Sequence, residues 1–156
     1  VESEESRRYI STKPEFYLPD AFRSAAASVK QGSSPVPAKL SEPMYTPVYQ
    51  PGEDRAGFMR TTDPVEVYKG HCEHAIRLYE RFIKDGVCPE QARFILPQGC
   101  EVNWVWTGSL YAFANAYNQR SDSHAQKEVQ DLFAEVDKII APLYPVSWAA
   151  LTRGEY

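Results

Sequence analysis

Between Tyr68 and Ile83 the apolar side chains return at helical spacing. Tyr68, Cys72, Ala75, Ile76, Tyr79, Phe82 and Ile83 fall on one face, with charged residues between them. Asp63 can cap this helix, Pro64 suits its first position, and Glu66 completes a capping-box-like pattern. Gly86 stands where a left-handed residue would end it. A second, short helix opens at Pro89-Glu90-Gln91 and must stop before Pro97. From Glu101 to Trp106 the pattern changes to alternation: Val102, Trp104 and Trp106 share one face, Asn103 and Val105 the other, which predicts a strand. A third helix is expected over about 107–118 and a fourth over about 122–140, stopped by Pro142; 144–151 can form a last short one.

The first part of the chain lacks this regularity. Residues 1–12 are charged and polar and read as a loop entering a short extended piece at Tyr9-Ile10. The stretch from Pro14 to Pro64 holds eight of the twelve prolines, and Lys30-Gln31-Gly32-Ser33-Ser34-Pro35-Val36-Pro37 has almost no period. Residues 20–62 are therefore expected to form an irregular excursion. The aromatics Phe16, Tyr17, Phe22, Tyr45, Tyr49 and Phe58 imply that this region packs on something. The pattern predicts an α+β fold, mostly helical with short strands, and a single domain over 1–156.

Composition narrows the function. The 156 residues can bury a core of their own. The net charge of −4 argues against a nucleic-acid partner, because such modules are usually basic. It leaves room for a small anionic ligand, which a few local arginines would decide. Cys72, Cys88 and Cys100 are odd in number and have no CxxC spacing, so they read as reduced thiols of a cytoplasmic protein. No apolar run reaches membrane-spanning length. The chain opens on Val1 rather than methionine, which suggests that a natural segment precedes it.

The candidate chemistry lies near helix ends. Arg120 follows the third predicted helix, and Asp122, Ser123 and His124 would occupy the first turn of the fourth. Free N–H groups at a helix start suit phosphate, and a guanidinium adds a planar fork of donors. The alternative is a simple cap at Ser121 or Asp122 beside a surface histidine. Arg93, set among Ala92, Phe94, Ile95 and Leu96, either snorkels to solvent or enters a polar site. Ser6-Arg7-Arg8 forms either a phosphate clamp or a solvated loop balancing Glu2, Glu4 and Glu5. His71-Cys72-Glu73-His74 lacks HExxH spacing and a third ligand, so no metal site is expected. No Walker loop, GxGxxG or Ser-His-Asp order is present.

Taken in order, Glu4-Glu5-Ser6-Arg7-Arg8-Tyr9, Pro14-Glu15-Phe16-Tyr17-Leu18-Pro19, Gly86-Val87-Cys88-Pro89-Glu90-Gln91-Ala92-Arg93, Leu96-Pro97-Gln98, Trp106-Thr107-Gly108-Ser109-Leu110 and Asn118-Gln119-Arg120-Ser121-Asp122-Ser123-His124 carry a resemblance. The chain resembles the flavin-dependent thymidylate synthases, in particular their phage-type branch. Ser6-Arg7-Arg8-Tyr9 matches the family's S-x-R-Y element. The family's Arg-His-Arg triplet and N-terminal segment would lie before Val1.

The resemblance implies FAD-dependent conversion of dUMP to dTMP, with methylenetetrahydrofolate as carbon donor and NADPH as reductant. It implies substrate contacts from Glu4, Ser6, Arg7, Arg8, Arg93 and Arg120, with Arg120 also serving catalysis at the uracil ring. Flavin contacts would come from Glu4, Ser109, Asn115 and His124. Many bacterial members have asparagine and arginine where Ser109 and Tyr111 stand, so the flavin contacts here are expected to be rearranged. The implied assembly is a homotetramer with shared active sites, in a mixed α/β fold. Two other readings remain: a flavoenzyme methylating UMP or another pyrimidine nucleotide at C5, and a non-catalytic helical assembly module or incomplete fragment.

Overall fold

The computed structural model describes residues 2–26 and 33–154. The Lys30-Gln31-Gly32 part of the expected irregular stretch lies outside the described residues. The chain divides into two compact units: residues 3–22 with 37–105, and residues 2, 23–26 and 33–36 with 106–154. Among the described residues six short strands pair two by two: β1 (Glu2–Glu4) with β6 (Trp104–Trp106), β2 (Arg23–Ala25) with β3 (Ser33–Pro37), and β4 (Met44–Val48) with β5 (Gly57–Thr61). With the five α-helices of the described residues, this is the α+β fold that the pattern predicts.

The first unit is built on α1 (Pro64–Lys84). The Asp63 carboxylate accepts the Val65 N–H at 2.9 Å, which satisfies one of the orphan donors of the first turn. The reciprocal half of the capping box is not made, because the Asp63 N–H donates to Thr61 Oγ1 at 3.0 Å instead. At the other end Gly86 adopts φ +86°, Gly86 N–H bonds Ile83 O at 3.1 Å, and Val87 N–H bonds Phe82 O at 2.9 Å. That pair of bonds is a Schellman stop, and its left-handed residue is the reason for a glycine here. Cys72, Ala75 and Tyr79 fill the inner face as expected, and the Tyr79 hydroxyl donates to Ile10 O at 3.0 Å.

The β4–β5 ribbon packs on the same helix, with Thr46 opposite Met59. This ribbon lies in the stretch whose prolines suggested irregular chain. In a two-stranded ribbon every strand is an edge, so Pro47 is tolerated despite its missing N–H. Thr46 is almost wholly buried and donates to Val67 O at 3.3 Å. The strand can come this close because residue 70 has no side chain. A Cβ there would meet Thr46 Oγ1 and lie 2.5 Å from the Pro47 carbonyl oxygen. Gly70→Ala should gain about 1 kcal/mol of helix propensity and lose more to overpacking against backbone, ~1–3 kcal/mol. Thermal unfolding should move down by several degrees; an unchanged or raised midpoint would mean that the helix and ribbon part freely.

Downstream, α2 (Pro89–Ala92) runs into a 3-10 turn at Arg93–Ile95 and ends in extended Leu96, as a residue before proline should. Residues 97–103 then take bonds from two other segments. Tyr17 N–H donates to Gly99 O at 3.1 Å, Glu101 N–H to Glu15 O at 2.8 Å, and Glu5 N–H to Asn103 O at 2.8 Å. Because residues 101 and 103 use their backbone groups in these separate bonds, the strand expected from Glu101 is only Trp104–Trp106.

In the second unit α3 (Leu110–Arg120), α4 (Lys127–Leu143) and α5 (Pro145–Arg153) pack on one another. Ser109 Oγ accepts the Ala112 N–H at 3.2 Å, which sets the start of α3 later than the expected 107. The fourth helix also starts late. The Asp122 carboxylate takes the His124 N–H at 2.8 Å and Ala125 N–H bonds Asp122 O at 2.9 Å, so 121–126 is a turn. Asp122, Ser123 and His124 therefore precede the helix rather than forming its first turn. At its far end α4 passes Pro142 to Leu143, although the proline has no N–H to give the Lys138 carbonyl, and the helix stops one residue later. Ala114, Phe133 and Trp148 are buried. Trp106 packs on Phe113 and Phe133, with ring centroids 4.1 and 6.3 Å away. Arg23 ties β2 to α4 through both Glu128 carboxylate oxygens, at 2.7 and 2.9 Å.

Candidate functional site

The predicted site residues fall into two sets. Glu4, Ser6, Arg7, Arg8 and Arg93 belong to the α1 unit, and Ser109, Asn115, Arg120 and His124 to the unit of α3 to α5.

In the first set, residues 6–9 make a tight turn closed by Tyr9 N–H donating to Ser6 O at 3.0 Å. Ser6 Oγ receives Arg8 twice, from the backbone N–H at 3.4 Å and from Nε at 3.3 Å. The Arg8 guanidinium lies 5.3 Å from the Tyr9 ring centroid and is otherwise turned to solvent. Arg7 is engaged differently. Its Nη1 donates to Thr12 O at 2.6 Å, and its guanidinium stands beside the Cys100 sulfur. Glu5 is pinned by Asn103, whose Nδ2 donates to its carboxylate at 2.8 Å. Glu4 is exposed on β1. Arg93, half-buried in its 3-10 turn, has no side-chain hydrogen bond or ion pair among the described residues.

Behind the turn lies a group of thiols and a phenol. Burial pushes the Cys100 thiol up, and the neighbouring Arg7 charge opposes that rise. Tyr68 is pushed up to about 12, by burial first and then by its hydrogen bond with Cys72. Its hydroxyl fills the place that a Cβ on Gly99 would occupy. Neutral pH therefore leaves these groups protonated, and they pack rather than attack.

In the second set, Ser109 caps α3, and Asn115 Oδ1 accepts from Gln119 Nε2 at 3.3 Å, which leaves the Asn115 amide N–H groups to solvent. Arg120 is the last residue of α3. It is exposed and has no side-chain partner among the described residues. His124 Nδ1 lies 2.8 Å from Asp122 Oδ1. The His124 backbone N–H, and then its ring, hold the Asp122 carboxyl below its usual range. An ionised carboxylate only accepts, so Nδ1 carries the proton and Nε2 faces outward. Asp122 therefore does not cap α4, whose N-cap is Gln126; its carboxylate closes the local turn and orients the imidazole.

His74 of α1 has another role. Its Nδ1 lies 2.6 Å from the Tyr49 hydroxyl, and the Arg77 guanidinium lies over the Tyr49 ring, 4.0 Å from its centroid. No group of three or more metal-ligating side chains occurs among the described residues. Sequence reasoning missed the Glu5–Asn103 clasp and the Arg7–Thr12 bond. Both join residues distant in the pattern or use a backbone carbonyl, and neither leaves a motif.

The family model described as thymidylate synthase complementing protein matches residues 2–146. The chain belongs to that family. Among curated members, it is 29% identical over 155 residues to a flavin-dependent thymidylate synthase of Thermosipho melanesiensis, covering 99% of this chain and 59% of that protein. The Kosmotoga olearia protein of the same name is 27% identical, with 99% and 59% covered. A Thermus thermophilus protein, again of that name, is 25% identical, with 95% and 47% covered. The chain thus spans about half to three-fifths of the length of these thymidylate synthase complementing protein relatives.

Proposed function

We propose that the chain is the nucleotide-holding part of a flavin-dependent thymidylate synthase. On this reading it converts dUMP to dTMP, with methylenetetrahydrofolate as one-carbon donor and NADPH as reductant. The family match over 2–146 carries this reading. Two arginines without partners among the described residues, Arg93 and Arg120, support it, because an unpaired guanidinium suits an anionic, carbonyl-rich ligand. FAD supplies the hydride when bound.

The residues present fit such a cofactor. The Asn115 amide N–H groups, the outward Nε2 of His124 and the exposed Ser109 offer polar atoms of both kinds on one unit. Glu4, exposed on β1, would serve the substrate or the cofactor. Ser6, Arg8 and Arg93 would hold the phosphate, ribose and base of dUMP, with Arg7 in the same turn. Arg120 would lie along the uracil carbonyl edge. Hydride delivery to the ring raises negative charge on its carbonyl system, and a fixed guanidinium stabilises that charge.

A homotetramer with shared sites fits the exposed apolar load. Tyr45, Phe58, Phe94, Tyr111, Ile139, Leu143 and Val146 are all largely exposed. A hollow of about 390 Å³ on the second unit is lined by Leu110, Phe113, Val136, Ile139, Ile140 and Tyr144. No helix among the described residues is long and apolar enough to cross a membrane. The cytoplasm would keep Cys72, Cys88 and Cys100 as the free thiols they are.

The test uses the whole protein that carries this chain, incubated with FAD, NADPH, methylenetetrahydrofolate and dUMP tritiated at C5. Expected are a flavin absorption band after purification or reconstitution, tritium release that requires NADPH, and much slower turnover of UMP. A colourless protein that cannot be reconstituted and releases no tritium would remove the reading and leave a non-catalytic module.

A further inference from the structure

We infer that Arg7 is a positioning residue, which holds the 6–9 turn in register so that Ser6 and Arg8 meet the nucleotide. This rests on the reading of Ser6 and Arg8 as substrate contacts.

The geometry separates Arg7 from its neighbours. Arg8 points to solvent, held loosely by Ser6 Oγ at 3.3 Å and by the Tyr9 ring. Arg7 turns the other way. Its Nη1 closes onto the Thr12 carbonyl at 2.6 Å, and the guanidinium lies beside Cys100. Cys100 sits on a fixed base, because its N–H donates to Pro97 O at 3.1 Å and it bridges to Phe16. Arg7 therefore links three pieces of chain: the turn it belongs to, the segment at Thr12, and the 97–103 stretch. On the near side of the turn, the Glu5–Asn103 pair clasps the same stretch at 2.8 Å. The turn between these clasps contains Ser6 and Arg8. A guanidinium can serve here because its donors diverge, so one can hold Thr12 while the group also stays beside the sulfur. A guanidinium spent on this latch has few donors left for a phosphate.

The test is a double-substitution cycle on the flavin-loaded whole protein, read as dUMP affinity by titration. Arg8→Ala alone should weaken dUMP, and Arg7→Met alone should weaken it roughly tenfold, as expected when a charge-assisted contact is no longer held in place. In the Arg8→Ala background, Arg7→Met should cost less than about twofold, since only the neutral Ser6 contact is then left to position. Arg7→Lys keeps a donor for Thr12 and should recover most of the affinity. KM for dUMP should rise in Arg7→Met while kcat changes little.

Losses that multiply in the double variant would make Arg7 a direct ligand and overturn the inference. So would unchanged dUMP affinity in Arg7→Met. If Arg8→Ala itself binds dUMP normally, the reading of the turn as a substrate contact falls, and the inference with it. Should Arg7→Met fail to fold, the cycle is run with Arg7→Lys, where a smaller loss must likewise vanish in the Arg8→Ala background.

Discussion

Arg120→Ala is expected to lower tritium release from labelled dUMP by at least about a hundredfold, the upper range for losing a charge-assisted contact, while leaving the fold intact. The two halves of this expectation have separate grounds. The fold should survive because Arg120 ends α3, is exposed, and makes no side-chain hydrogen bond or ion pair among the described residues. Removing such a group from a helix end costs only a few tenths of a kcal/mol. Activity should not survive, because the charge that develops on the uracil carbonyls during hydride addition would lose its fixed counter-charge. Arg120→Lys should recover little: an ammonium keeps the charge and loses the planar fork. Circular dichroism and unfolding midpoints matching the wild type, together with collapsed turnover, are the expected pair. Wild-type turnover in Arg120→Ala would remove Arg120 from the chemistry.

The helices of this chain were legible because each carries its own punctuation. Asp63-Pro64 and Gly86 bracket α1, and the structure finds the side-chain cap and the Schellman stop at those residues. Where punctuation was ambiguous, the boundary moved. Ser109 caps α3, so that helix begins at Leu110 rather than near 107, and the Asp122 carboxylate closes a turn, so α4 begins at Lys127. The β4–β5 ribbon was illegible for a different reason. Its stability comes from Thr46 and Pro47 lying against the bare backbone at Gly70, a contact between segments that no local period encodes. The candidate site divides in the same way. Arg93 and Arg120 stand out in sequence as charges in helix-end settings, and both are without side-chain partners among the described residues. Arg7 and Arg8 are alike in residue type, and the S-x-R-Y match gives Arg7 no role of its own. Only the Thr12 carbonyl and the Cys100 sulfur separate them.

Trp148→Ala is expected to destabilise the second unit by about 3–5 kcal/mol, the usual cost of truncating a buried tryptophan. Trp148 is fully buried. Its ring meets Tyr117 of α3 edge-on with centroids 5.5 Å apart, and its Nε1 donates to Asp137 of α4 at 2.6 Å. One side chain on α5 thus joins all three helices. Truncation would leave a cavity and deprive the half-buried Asp137 of a donor, with only Arg153 remaining among the described residues, at 3.6 Å. Trp148→Phe keeps most of the volume and loses the N–H, so it should cost roughly 1–2 kcal/mol. A domain's whole stability is only about 5–15 kcal/mol, so the alanine variant should unfold at much lower denaturant, with the phenylalanine variant between it and the wild type. The consequence reaches the candidate site. Asn118 of α3 donates to Leu151 O of α5 at 3.0 Å, so α3 is seated on the helix that Trp148 anchors. Asn115 and Arg120 ride on α3, and loosening its seat should weaken FAD and dUMP together, in proportion to lost structure. Arg120→Ala, by contrast, should lose turnover with no structural change. An alanine variant at 148 with a wild-type denaturation midpoint would mean that the three helices are held by something other than this indole.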